Sequence, residues 1–283
     1  RTVATNVNAS AIGHLSSDVE CLIKLVRGRQ VGFKRFIVVI KKDCANFQLA
    51  ELLGGLKEVI VLRGGWFEEL FAGLARIPII GFDVDQFMAI DGRPAKVYQI
   101  HENHPKSIFN SMPEIDVTDL FESHPSLGIL KEKSFYCFHA RSSGFDEAFN
   151  NPNQFCHKNR NTEFLDYKSL IMQLQNIGLV SVRLSEATST RLGGSIDDLD
   201  NFLDVCELGL TDPEVKRLHL WLVANCEGFV GCSSGLTQLA NLFCKPVLIV
   251  NGYPASFSLP HKVNGLGLPK KVIKVFGEGH IEL

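Results

Sequence analysis

Residues 134–145 read SFYCFHARSSGF. An aromatic and apolar run ends in His139, then Arg141, then Ser142, Ser143 and Gly144. Arginine carries a planar fork of donors that matches phosphate oxygens in pairs. His139 can donate to a phosphate or sit on a ribose or sugar hydroxyl. The serines and the glycine add hydroxyl and backbone N–H donors. Alternation along a strand puts His139 and Arg141 on one side. The chemistry that fits is recognition of a phosphorylated ligand. An arginine salt-bridged to a neighbouring loop is the competing explanation, and the strand-end position favours function for Arg141.

Other stretches carry related chemistry. In GCSSGLTQLAN (231–241), small residues follow an apolar run and open a helix near Ser234 or Gly235. Free N–H groups at that helix start, with the Ser233 and Ser234 hydroxyls, form an anion site, and a plain serine cap is compatible with it. No Gly-Lys-Ser/Thr is present, so this is not a Walker motif. In ASAIGHLSSDVE (9–20), Gly13 allows a tight turn and His14 sits near a helix start. The positive end of a helix favours the neutral imidazole that a general base needs. Taken alone, a structural hydrogen bond explains His14 better. Arg160, in HKNRN (157–161), precedes a helix, a poor place for a cation unless an anion is nearby. Arg183 ends an apolar run in VSVRLSE, where a solvated arginine explains it equally well. IIGFDVDQ (79–86) offers Asp83 and Asp85 to a hard cation. That pair is short and common, and a solvated turn is the better reading, so no metal site is expected.

These residues need strand ends to hold them. The chain alternates short apolar runs with helical patterns: RFIVVI (35–40), EVIVL (58–62), SFYCFHA, LVSVRL, GFVGC (228–232) and PVLIVN read as strands. PIIGFDVD is a further strand candidate. SSDVECLIKLVRG reads as a helix capped by Ser16 or Ser17 and stopped by Gly28. NTEFLDYKSLIMQLQNIG reads as one amphipathic helix capped by Asn161 or Thr162, and DPEVKRLHLWLVANC as another with Pro213 in its first turn. Residues 91–133, with prolines at 94, 105, 113 and 125, interrupt the rhythm. The pattern predicts an α/β protein of two Rossmann-like domains facing across a cleft. The expected division is 1–105, an inter-domain connection over 106–133, and 134–283. Ligands of open parallel sheets bind beyond the carboxyl ends of the strands, where the candidates lie.

Bulk properties bound the rest. The 283 residues are 45% hydrophobic and 21% charged, with a formal net charge of −2. No basic surplus points to nucleic acid or to an anionic membrane. No apolar run is long enough to span a bilayer, and the N-terminus lacks the apolar centre of a signal peptide. Eight cysteines are scattered without a C-x-x-C pair. Buried free thiols in a reducing compartment, by default the cytoplasm, are the expectation. The ends, without an initiator methionine and closing on GEGHIEL, read as those of a piece of a longer chain with further domains.

IGHLSSDVECL, CFHARSSGF, KNRNTEFLDYKSLIMQLQNIGLVSVRL and FVGCSSGLTQLANLFCKPVLIVNGYP together resemble a bacterial group of glycosyltransferases of two-domain GT-B type. That group carries an N-terminal I-G-H-L, a later H-x-R, an Arg-Asn before a helix with Tyr, and a late G-x-x-S-G. The resemblance is spread over nearly the whole chain. H-x-R is also distantly similar to the fucosyltransferase superfamily, where the arginine contacts the nucleotide-sugar diphosphate. Here Ser142-Ser143 follow where those enzymes usually have an aspartate nearby. The resemblance implies metal-independent hexosyl transfer, without a cofactor, from a nucleotide-sugar donor to a glycan or other hydroxyl acceptor, as in polysaccharide biosynthesis. It implies that His139, Arg141, Ser143, Arg160, Asn161, Arg183, Ser233, Ser234 and Gly235 bind the donor. Gly13 and His14 fall on the acceptor side, where heptosyltransferase-like enzymes place a catalytic acid residue, so His14 becomes the candidate base beside Arg141. Asp204, in NFLDVCE, is a weaker candidate that either holds a donor hydroxyl or caps a turn. A sugar-nucleotide epimerase on the same fold and a non-catalytic sugar-nucleotide or glycan-binding module are the competing functions.

Overall fold

A computed structural model describes residues 1–40, 43–90, 92–141, 160–187, 189, 192, 199–253, 265–270, 273–276 and 279–282, the backbone alone over 65–68, 273–276 and 279–282. Ser142, Ser143, Gly144, Cys156 and His157 lie outside the described residues.

The first sheet comes from strict alternation: β1 (Thr2–Thr5), α1 (Ile12–Arg27), β2 (Arg35–Ile40), α2 (Phe47–Gly54), β3 (Val59–Arg63), α3 (Gly65–Ala75) and β4 (Gly81–Phe82). Its four strands are parallel in the order β3-β2-β1-β4. Two helices follow, α4 (Val84–Ala89) and α5 (Arg93–Asn103). The expected strand over PIIGFDVD shrinks to Gly81–Phe82 because Asp83 caps α4, its carboxylate accepting from Gln86 N at 3.0 Å.

Short helices α6 (Thr118–Ser123) and α7 (Ile129–Glu132) lead into the second sheet. Its elements are β5 (Phe135–His139), α8 (Lys168–Asn176), β6 (Val180–Arg183), β7 (Phe202–Asp204), α9 (Asp212–Asn225), β8 (Gly228–Gly231), α10 (Gly235–Leu242), β9 (Val247–Gly252) and β10 (Gly265–Pro269). The six strands are parallel in the order β10-β9-β8-β5-β6-β7. This is the doubly wound order of dinucleotide-binding sheets, and the strand order reverses between β5 and β8. A terminal hairpin pairs β11 (Ile273–Phe276) with β12 (Gly279–Glu282).

Two helices begin elsewhere than expected. Helix α1 starts at Ile12, four residues ahead of Ser16, whose hydroxyl instead bonds back to Ile12 O at 2.7 Å. The long helix expected over 161–178 is a 3-10 turn (Phe164–Tyr167) followed by α8. Phe164 and Tyr167 pack with Phe138 in a small cluster of their own, which holds that turn tight. No cap forms there from Asn161 or Thr162: Thr162 N bonds Arg141 O at 3.1 Å instead.

Buried residues of both sheets form one contiguous core, from Val3, Leu22 and Phe36 to Phe229, Leu239 and Phe243. Helix α1 is buried on nearly every side, including Ser16, Asp18, Glu20 and Lys24. It lies against its own sheet, α5 and α10, so its charged residues need partners within the protein. Asn46 Nδ2 donates to Lys216 O at 3.1 Å and links the start of α2 to α9. The described cysteines are free thiols, all buried except the half-buried Cys244. Among the described residues, no helix is long and apolar enough to cross a membrane.

Candidate functional site

The reversal point of the second sheet lies between the ends of β5 and β8, where His139 stands beside Gly231. Past these strand ends the two exits are tied together. Arg141 N donates to Cys232 Sγ at 3.3 Å, and Arg141 is only 6% exposed. Arg160 donates to Ser233 O from Nε at 2.9 Å and from Nη2 at 2.5 Å. Ser233 Oγ accepts from Tyr253 N at 3.2 Å. Ser234 caps α10, its hydroxyl accepting from Thr237 N at 3.4 Å, while Thr237 Oγ1 donates to Cys232 O at 2.6 Å. The first turn of α10 has no acidic residue. The positive end of the helix and two arginines therefore meet in one place, which suits an anion.

His139 Nδ1 lies 3.2 Å from Leu184 O and donates to it. Burial pushes its pKa down to about 4, opposed by that hydrogen bond, so the ring is neutral at pH 7 with Nε2 as acceptor. Glu186 adjoins it: its residue surface opens to solvent, yet desolvation of its carboxyl raises the pKa against the pull of His139. Two acceptors at a strand end suit hydroxyl groups of a ligand. Glu186 follows an apolar strand, and the strand-end rule applied to β6 finds it.

Other expected donor residues are placed differently. Arg183 Nη1 pairs with buried Asp204 Oδ2 at 2.7 Å, and its guanidinium lies 5.1 Å from the centre of the Phe164 ring. Asp204 also accepts from Ser185 Oγ at 2.5 Å and caps the 3-10 turn that begins at Val205. The turn-capping alternative for Asp204 is thus the one realised. Asn161 O accepts from Lys270 Nζ at 3.2 Å. Arg141, Arg160, Ser233, Ser234 and Gly235 are brought together, whereas Arg183 is held in the Asp204 network.

The first sheet delivers the start of α1 to the same place. A Cβ on Gly13 would lie 3.3 Å from Gly235 Cα, so the first turns of α1 and α10 are in contact. Neither first turn carries an acidic residue. His14, next to this contact, has Asp18 Oδ2 3.1 Å from its Nδ1. Arg93 Nη1 lies 2.6 Å from Asp18 Oδ1 and 3.3 Å from His14 Nδ1. Arg93 Nη2 reaches Asp85 Oδ1 at 2.6 Å. Asp18 was legible from its four-residue spacing to His14; Arg93, from another helix, was not. Asp83 is spent on the α4 cap and on Asn6 Nδ2 at 2.9 Å. Among the described residues, no group of three or more His, Cys, Asp or Glu is arranged to hold a metal ion. Cavities of about 390 Å³ beside Trp221 and about 300 Å³ beside Phe87 lie away from these residues.

No protein-family model matches the sequence, and no curated protein matches it. Solved structures do. E. coli ADP-heptose lps heptosyltransferase II superposes with a TM-score of 0.51 at 13% identity, over 99% of this chain and 92% of that one. E. coli heptosyltransferase WaaC with ADP-2-deoxy-2-fluoro heptose gives a TM-score of 0.54 at 11% identity, over 94% of this chain and 92% of that one. At such identities the likeness speaks to architecture, and it agrees with two parallel sheets joined through the α1–α10 contact: the chain has the two-domain, Rossmann-like GT-B fold.

Proposed function

We propose that this protein is a glycosyltransferase that moves a sugar from a nucleoside-diphosphate donor to a hydroxyl of a glycan or other acceptor. The observation that carries the reading is the meeting of His14, at the start of α1, with the anion-suited start of α10 beside Arg141 and Arg160. The GT-B neighbours support it: one is named for an ADP-heptose substrate and the other holds a fluorinated ADP-heptose.

The diphosphate lies against the first turn of α10, with Arg141 on its oxygens and Arg160 holding the Ser233 carbonyl away from them. His139 Nε2 and Glu186 accept from donor hydroxyls. The acceptor oxygen forms a bond to the anomeric carbon as the bond from that carbon to the diphosphate oxygen breaks. The bonding pair leaves on the diphosphate, where arginine and helix N–H groups stabilise the growing charge. The acceptor proton passes to His14 and then to solvent. The reading invokes no divalent ion and does not use Asp83 and Asp85, which serve the α4 cap and Arg93.

The test is incubation with UDP-, GDP-, CMP-, ADP- and dTDP-sugars, with and without glycan acceptors, reading nucleotide release and product mass. Acceptor-dependent release by the wild type, lost in His14→Asn with donor binding retained, is the expected result. A donor altered without acceptor identifies an epimerase; binding without release identifies a binding module.

A further inference from the structure

His14 and Asp18 stand one turn apart on α1, so their side chains share a face. The pair is asymmetric: the imidazole is 40% exposed and the carboxylate 3%. A carboxylate so buried needs a donor on each oxygen. Oδ1 has Arg93 Nη1 at 2.6 Å. Among the described residues, the donor within reach of Oδ2 is His14 Nδ1, at 3.1 Å.

Arg93 complicates the choice of tautomer. Its Nη1 also lies 3.3 Å from His14 Nδ1. A guanidinium only donates, so His14 Nδ1 either accepts from Arg93 or donates to Asp18. The same Nη1 already makes its short hydrogen bond to Asp18 Oδ1, and the contact to Asp18 is the shorter of the two at His14. Donation from Nδ1 to Asp18 gives each Asp18 oxygen a donor. Acceptance from Arg93 strands Oδ2.

The geometry points to Asp18 as a positioning residue for His14: its carboxylate holds the Nδ1–H tautomer and leaves Nε2 as the basic nitrogen. Arg93 pairs with Asp18 Oδ1, and Asp85, at 2.6 Å from Nη2, fixes Arg93 from α4. Asp85 thus serves a proton-handling histidine, through Arg93, rather than a cation. From α10, the Gly235 backbone and the Gln238 side chain lie beside Gly13 and bring no charge. The proton taken from the acceptor hydroxyl resides on Nε2, and Asp18 stabilises the imidazolium before the proton leaves to solvent.

This assignment rests on the proposed base role of His14, and two measurements separate their failures. Long-range 1H–15N correlation on the wild-type protein, with His14 assigned by its loss in His14→Gln, reads the tautomer without turnover. A pyrrole-type Nδ1 and a pyridine-type Nε2 are expected; the reverse assignment overturns the proposal. In Asp18→Asn, kcat falls by about 10²–10⁴-fold, as when an orienting carboxylate is lost elsewhere. The donor KM holds, and Asp18→Glu recovers part of the rate. An Asp18→Asn protein with wild-type kcat overturns it. Full turnover in His14→Asn sinks the base role instead, whatever the tautomer.

Discussion

Gly13 and Gly235 close the gap between the two sheets: a Cβ on Gly235 would come within 2.4 Å of Ile12 Cγ2 and 3.1 Å of Gly13 N, while one on Gly13 would sit 3.3 Å from Gly235 Cα. Two helix starts are thereby held backbone to backbone. The crowding is unequal. Alanine at 235 must displace Ile12 and press on the Gly13 backbone; alanine at 13 meets a tight 3.3 Å contact with the Gly235 backbone, offset by its gain in helix propensity. Gly235→Ala is expected to cost about 1–3 kcal/mol by overpacking and to weaken donor binding. Gly13→Ala is expected to be nearly neutral in stability. Urea unfolding of both variants checks the contrast, and equal losses contradict it.

Arg160 grips the Ser233 carbonyl with two nitrogens. That carbonyl sits immediately before the α10 cap, so its direction sets where the following N–H groups point. Arg160→Ala removes charged hydrogen bonds worth about 1.5–3 kcal/mol of stability and releases the carbonyl, so donor affinity is expected to fall. Arg160→Lys keeps the charge and loses the fork, and retains an intermediate affinity. Calorimetry with UDP, GDP and ADP measures this; unchanged affinity in Arg160→Ala removes Arg160 from the site.

Much of this was legible in the sequence, for a physical reason. Runs such as RFIVVI and SFYCFHA have one stable home, a strand covered on both faces, and they appear as β2 and β5. Strand ends then located His139, Arg141 and Ser233. The helix starts were less legible. Ser16 and Ser17 look like caps, but Ser16 finds its partner inside the helix, at Ile12 O. The pairings that shape the site were not legible at all. Arg160 meets a carbonyl 73 residues away and Arg93 a carboxylate 75 residues away. Helical and strand periodicity reports neighbours at a few residues, and such contacts exist only once the sheets have docked.

Arg141 has its backbone held on both sides, by Cys232 and by Thr162. Its backbone position is set before any ligand arrives, which lowers the cost of ordering it on binding. Arg141→Ala is expected to abolish nucleotide-sugar binding while leaving the fold intact. Calorimetry shows the first, circular dichroism the second. Chelation is expected to leave turnover unchanged; a loss with EDTA that manganese restores would return Asp83 and Asp85 to candidacy as metal ligands.

Acid stability follows from two imidazoles, half-buried His139 and buried His219. Burial pushes both His139 and His219 down to about 4. His219 is 3% exposed, its ring bonds the Ser185 backbone, and its Nε2 has no hydrogen-bond partner among the described residues. In the unfolded chain a histidine takes a proton near its ordinary value of about 6.5. Between there and about 4 the unfolded state binds more protons, so stability is level above pH 7 and falls as pH drops through that window. For His219 the full loss is on the order of 3 kcal/mol. Glu186 acts in the opposite sense, since its raised pKa lets the folded chain take that proton first. His219→Gln is expected to flatten the decline in melting temperature between pH 6.5 and 4. An equally steep decline in the variant would place the acid sensitivity elsewhere in the chain.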